Sequence, residues 1–138
     1  MHATLAKVLR TLASVLLGYT VIVVCTIVGF KPLGGIVHVQ APLRIQAAGA
    51  LVAIISGLMG GIVAALVAGR HPVRHAAGVL VFLFIDSAVV ISRGSADPLW
   101  FDVFGSATLM LATVCGGVLY HLLIRRRGSE SRRQSSRG

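Results

Sequence analysis

The sequence predicts an all-α fold, a four-helix transmembrane bundle with both termini on the cytoplasmic side (N-in and C-in). Three observations carry that expectation. Hydrophobic residues make up 56% of the chain, charged residues only 12%, and the mean hydropathy is +0.89, whereas a soluble domain of this length needs a more polar surface. Four apolar runs are long enough to cross a bilayer. Thirdly, the basic residues lie between and beyond those runs with a strong bias to one side. The formal charge of +9 is therefore read as a topology signal rather than as a footprint for nucleic acid, and no specific nucleic-acid partner is expected. At 138 residues there is room for one compact unit and for no additional soluble domain.

The short basic leader MHATLAKVLR is followed by twenty uncharged residues, 11–30, and the first helix is expected over about residues 8–30. The uncharged run exceeds the 7 to 15 residues of a signal-peptide core and is followed by no small-residue cleavage pattern, so it is read as an uncleaved helix. Cys25 follows Val23 and Val24 and so lacks the small residue that precedes a lipid-modified cysteine. Residues 31–44, KPLGGIVHVQAPLR, are punctuated by Pro32, Gly34, Gly35 and Pro42 and form a connection, in which IVHVQ suggests a brief extended segment.

The second run, residues 45–69, has no formal charge and as a helix is roughly 37 Å long against a hydrocarbon core of roughly 30 Å. Every fourth position is small: Gly49, Ala53, Gly57, Gly61, Ala65 and Gly69. Glycine weakens a helix in water, but in lipid a face without side chains lets two backbones approach closely. This helix is expected to be the packing hub, with those six residues as its contact face.

The basic turn RHPVRH leads into a third helix at 73–92, with Pro72 suited to a first helical position. Asp86 interrupts this span at a cost of about 2.5 to 3.5 kcal/mol on insertion scales, offset by ten apolar residues worth roughly 3 to 6 kcal/mol together. Asp97 and Pro98 form an expected N-cap and first-turn pair for a fourth helix at 98–124, with Trp100 and Tyr120 near opposite interfaces. Residues 1–127 thus constitute the membrane domain, and 128–138 a disordered basic cytoplasmic tail suited to anionic headgroups. With both termini on one side, that side holds Lys7, Arg10, Arg70, Arg74 and six tail arginines, against Lys31, Arg44 and Arg93 on the other. The excess places both termini and the 70–75 turn in the cytoplasm.

Asp86 is the principal candidate for chemistry, because intramembrane acids often mark ion or proton pathways. The rival reading is a hydrogen-bonded acid that fixes helix packing. Its own helix offers only the distant Arg93, and matching depth on neighbouring helices points to Thr26, Ser56, Ser106 and Thr108 as partners. His71 and His75 flank the turn at a spacing of four but without an acid or cysteine nearby; they read as headgroup-facing residues, and no metal site or cofactor is expected. His121, before the tail arginines, suits a helix C-terminus; His38 lies in no motif. Cys25 and Cys115 have no ligand-spaced neighbours and read as small packing residues. Serine-hydrolase elbow, zinc-protease, phosphate-loop and paired-carboxylate patterns are absent from the sequence, so no enzymatic activity is expected.

The junction GGIVAALVAGRHPVRHA, residues 60–76, resembles one that recurs in small multi-span bacterial membrane proteins of no known activity. It covers one helix end and one turn, and implies a bacterial inner membrane as the setting. Small four-span multidrug transporters carry a glutamate in their first span, which this first span lacks. Fluoride channels carry a polar, Phe-rich third-span signature that VLVFLFIDSAVVI does not reproduce. The leading expectation is therefore a structural or accessory protein that packs through small-residue helix faces against itself or a larger membrane partner. The alternative is a small oligomeric transporter or channel with Asp86 in its pathway.

Overall fold

The computed structural model describes residues 2–35, 37–69, 72–94 and 97–135. Four helices follow one another: α1 (His2–Phe30), α2 (Leu43–Ala68), α3 (Pro72–Ser92) and α4 (Leu99–Ser135). Each contains a stretch long and apolar enough to cross a membrane. Leu, Ile, Val and Phe side chains point outward along all four, while the interior is built largely from Ala, Gly, Ser and Thr. That inversion suits lipid as solvent, since apolar side chains gain nothing by leaving lipid for a protein interior and close backbone packing is what remains to be gained.

Two helix ends depart from expectation by more than two residues. α1 begins at His2 rather than near residue 8, because nothing in the leader breaks a helix and each residue added to an existing one gains a backbone hydrogen bond. For the same reason α4 continues beyond residue 124 to Ser135, through most of the stretch expected to be irregular; Arg, Glu and Gln there are good helix formers. Residues 136–138 of that tail lie outside the described residues. α2 ends at Ala68 because Gly69 adopts φ 67°, a conformation natural only to glycine, and donates its N–H to the Ala65 carbonyl.

The 31–42 connection opens with a 3-10 turn at Lys31–Leu33. Among its described residues there is no strand where IVHVQ suggested one; Ile36 is outside them, and Val39 and Gln40 lie in a turn closed by the Ala41 N–H on the His38 carbonyl at 2.9 Å. A single extended segment has no second edge to pair with here. Its polar groups are met instead by side chains from other elements, as described below.

α2 occupies the middle of the bundle and shares its largest contacts with α4 and α1, while α3 touches all three other helices. Among the described residues α1 and α4 form no contact surface with each other. α2 meets its two main neighbours on different faces. A Cβ added to Gly57 would lie 2.7 Å from the Leu109 carbonyl and 2.7 Å from Ala112 Cβ, and one added to Gly61 would overlap the Thr113 carbonyl. The α4 side reciprocates, because a Cβ on Gly116 would overlap the Leu58 carbonyl. Rotated along α2 is a second ladder of small residues, Ser56, Gly60, Ala64 and Ala68, all buried. A Cβ on Gly60 would lie 2.7 Å from the Gly18 carbonyl and overlap Ile22, and one on Gly18 would meet Ala64 Cβ at 2.8 Å. The core proper, Val15, Ile22, Ala64, Val79 and Leu83, fills the space among α1, α2 and α3.

The six-residue ladder is thus divided among several roles. Gly57, Gly61 and Ala65 are buried, and the two glycines abut α4. Gly49 is buried against the connection, where an added Cβ would meet Val37 at 3.0 Å and the Phe30 ring at 3.2 Å. Ala53 is only half-buried, and Gly69 is exposed beyond the helix end. An i, i+4 row drifts by about 40° per step on a straight helix, so no single neighbour can follow it from end to end.

Candidate functional site

Asp86 lies one turn beyond Phe82 on α3, about four residues and roughly 6 Å along the axis from the middle of that helix. The Phe82 ring packs on Tyr19 of α1 with centroids 5.6 Å apart, and Asp86 is within electrostatic reach of the same tyrosine. The carboxylate is not inside the bundle. Asp86 is exposed, on an α3 face where Phe82, Val89 and Val90 are exposed as well.

The hydroxyls expected around it are elsewhere. Ser56 is buried in the second ladder of α2, Ser106 is half-buried on α4, and Thr108 donates to the Phe104 carbonyl of its own helix at 2.8 Å. Thr26 is half-buried on α1, with its Oγ1 sealed from solvent and, among the described residues, without a hydrogen-bond partner. Among the described residues none of these four is bonded to Asp86. Depth along the sequence was the only available guide to a partner, and depth does not specify the rotation of each helix. Ser14 and Thr113 are also buried, and bond the Thr11 and Leu109 carbonyls of their own helices, as hydroxyls within helices commonly do. Cys25 is half-buried and Cys115 exposed, and both are free thiols.

Polar structure concentrates at the two ends of the bundle. At the end away from the termini, Asp97 accepts the Val39 N–H at 2.9 Å and a hydrogen bond from His38 Nδ1 at 2.9 Å. The Gln46 side-chain amide donates to the Val39 and Ala41 carbonyls at 2.7 and 2.8 Å. The connection between α1 and α2 is therefore tied at once to the start of α4 and to the first turns of α2. Asp97 was expected to cap α4; in these bonds it holds the connection, and Leu99 is the first residue of the helix. The backbone hydrogen bond from Val39 is the main influence holding the Asp97 carboxyl below its ordinary range; burial opposes it, and His38 adds to the lowering. A carboxyl depressed on folding contributes stability that is present above its unfolded value of about 4 and is lost as pH falls through the lower folded value. Hydrogen-exchange protection of the Val39 amide should therefore hold at neutral pH and fall only in strong acid, and Asp97→Asn should remove that dependence. Unaltered pH dependence in the Asn form would sink the assignment.

At the end that carries both termini, the Arg10 Nε donates to the Val67 carbonyl at 2.9 Å, and its guanidinium lies over Gly69. A cation from α1 thus closes the C-terminus of α2, where unpaired carbonyls and the helix dipole favour positive charge. Nearby, Thr11 Oγ1 donates to the Lys7 carbonyl at 3.0 Å and lies 3.3 Å from His75 Nε2. His71, the other histidine of the turn, is outside the described residues, and among those described no cluster suited to a metal ion occurs. Neither the His38–Asp97 pair nor the Arg10 cap was found from sequence. Residues 59 and 57 positions apart leave no local pattern, although a glycine ending a helix beside basic residues is a signal for the second. Comparison with known protein families, with characterised proteins and with solved structures yields no match.

Proposed function

We propose that the protein is a non-catalytic accessory subunit of a membrane assembly, which docks through the Asp86 face of α3 on a transmembrane helix of another protein. The observation that carries this reading is the outward position of Asp86. An acid facing hydrocarbon near mid-span costs about 2.5 to 3.5 kcal/mol, and a donor or cation on a partner helix would offset that cost. The surface used differs from the one the sequence suggested, since the small-residue faces of α2 are consumed inside the bundle. A different protein is favoured over a second copy because the cations of this chain lie near the ends of its apolar spans, away from the depth of Asp86. Native purification of wild type and Asp86→Leu tests the reading: a companion retained by the first and lost by the second is expected, and one retained equally by both would overturn it.

The transport alternative requires Asp86 to line a path. The outward face supports that only where a path forms between subunits, so proton-coupled flux in proteoliposomes is the discriminating measurement. The same proposal places both termini in the cytoplasm on the strength of the charge bias, and takes a bacterial inner membrane as the setting from the resemblance of the 60–76 junction. A periplasm-active reporter fused after Gly35 or Gly94 should be active, and one fused after Gly128 silent; activity at Gly128 would reverse the topology.

A further inference from the structure

Between α1 and α3, at the end that carries the termini, runs a groove of about 250 Å³ lined by Thr11, Val15, Arg74, His75 and Gly78. We infer that this groove is a binding site for the headgroup phosphate of an anionic phospholipid, with Arg74 as its principal ligand. Its place in the fold, its charge and its shape support this independently.

The groove lies at headgroup level. Arg74 is the second residue of the apolar stretch of α3, and Thr11 stands one turn beyond Lys7 on α1, so the walls pass from charged to apolar within two turns. Lys7, Thr11 and Val15 follow one another at intervals of four and share one face of α1. Arg74 and Gly78 are spaced alike on α3. Val15 and Gly78 thus line the groove one turn deeper than Thr11 and Arg74, and a Cβ on Gly78 would meet only Val15, at 3.0 Å. One turn deeper the Tyr19–Phe82 pair bridges the same two helices.

The charge at this end is one-sided. The chain has four acidic residues, Asp86, Asp97, Asp102 and Glu130. Asp86 lies within α3, Asp97 and Asp102 belong to the opposite end, and only Glu130, in the extension of α4, lies on this side. Arg10 is engaged with the Val67 carbonyl, whereas Arg74 is exposed at the groove. The Thr11 hydroxyl gives its proton to the Lys7 carbonyl and so can only accept from His75 Nε2, which orients the imidazole as a wall of the groove. Guanidinium and phosphate form the strongest pairing available at such a boundary. The volume is below the roughly 300 to 1,000 Å³ of pockets that engulf a whole small molecule. It suits a headgroup whose acyl chains continue along the exposed apolar surface of α1 and α3.

Native mass spectrometry of the full chain in detergent, titrated with phosphatidylglycerol or phosphatidylcholine, tests the site. Phosphatidylglycerol should bind about ten-fold more tightly, because both lipids offer a phosphate to Arg74 but phosphatidylcholine also brings a quaternary ammonium that the cations of this end repel. Arg74→Gln should lower that affinity by about ten-fold, Gly78→Leu should fill the groove and do the same, and Arg74→Lys should retain most of the binding. The doubly substituted tail, Arg132→Gln with Arg133→Gln, should bind as wild type does. Melting temperature in detergent, measured alongside, separates lost binding from lost folding, and Arg74→Gln alters an exposed side chain. Equal affinity for the two lipids would overturn the assignment, as would loss of binding in the tail variant rather than in Arg74→Gln. Displacement of the lipid by an equal concentration of glycerol phosphate would also overturn it, since the site would then be one for a free anion.

Discussion

Replacing Gly61 with Leu should dismantle the α2–α4 contact and lower the melting temperature in detergent more than any other single substitution discussed for this protein. A Cβ at this position overlaps the Thr113 carbonyl and would lie 3.1 Å from the Gly117 nitrogen. Both obstacles are backbone, so relief requires α4 to move as a body rather than a side chain to change rotamer. Overpacking a core ordinarily costs about 1 to 3 kcal/mol, with larger values where the surroundings cannot give. Gly60→Leu should act similarly on the face of α2 turned toward α1, against Ile22 and the Gly18 carbonyl. The control is Gly105→Leu, because nothing lies within 4 Å of a Cβ added at Gly105 on α4. That change removes a helix-weakening glycine worth roughly 1 kcal/mol and should leave melting unchanged or raised. If Gly61→Leu melts like Gly105→Leu, the close packing of α2 on α4 is refuted.

Substitution of Asp86 should leave the isolated chain as stable as wild type and act instead on what the chain associates with. Within the chain the carboxylate is exposed and, among the described residues, hydrogen-bonded to none. Its removal therefore strands no internal donor. Under the proposed docking, Asp86→Leu would leave a donor on the partner helix unsatisfied, at about 1 to 3 kcal/mol, and so should weaken association about ten-fold or more. Asp86→Asn keeps a carbonyl acceptor of similar shape and should retain much of the companion. Proton-coupled transport reverses that ranking, because an amide cannot exchange the proton and the Asn form would lose flux while keeping its partner. Melting temperature, companion recovery and flux for the three forms therefore separate docking from transport. A large fall in the melting temperature of the isolated Leu form would show that Asp86 supports the bundle itself and would sink both.

Several parts of this architecture were legible in the residues alone. Four apolar runs bounded by Gly, Pro and basic turns could only be helices in lipid, since a spanning segment must satisfy its own backbone. The expected starts and ends of α3, and the start of α2, fall within two residues of the observed ones. Gly57 and Gly61 were recognisable as close-approach positions because small residues at intervals of four have no other advantage within a span. The second ladder of Ser56, Gly60, Ala64 and Ala68 was equally present in the sequence. What gives it a role is the central position of α2, which needs one face for each neighbour.

The sequence by itself determined the number of helices, their approximate limits and the apolar character of the surface, because those follow from length and hydropathy in a solvent without hydrogen-bonding groups. Tertiary structure alone decided that α2 lies between α1 and α4, that Asp97 grips the 31–42 connection through Val39 and His38, that Arg10 closes the end of α2, and that Asp86 faces outward. These depend on how far each helix is turned about its own axis. In lipid that rotation is governed by backbone fit between small residues rather than by burial of an apolar stripe, and on helices that are apolar on every side no periodicity records it.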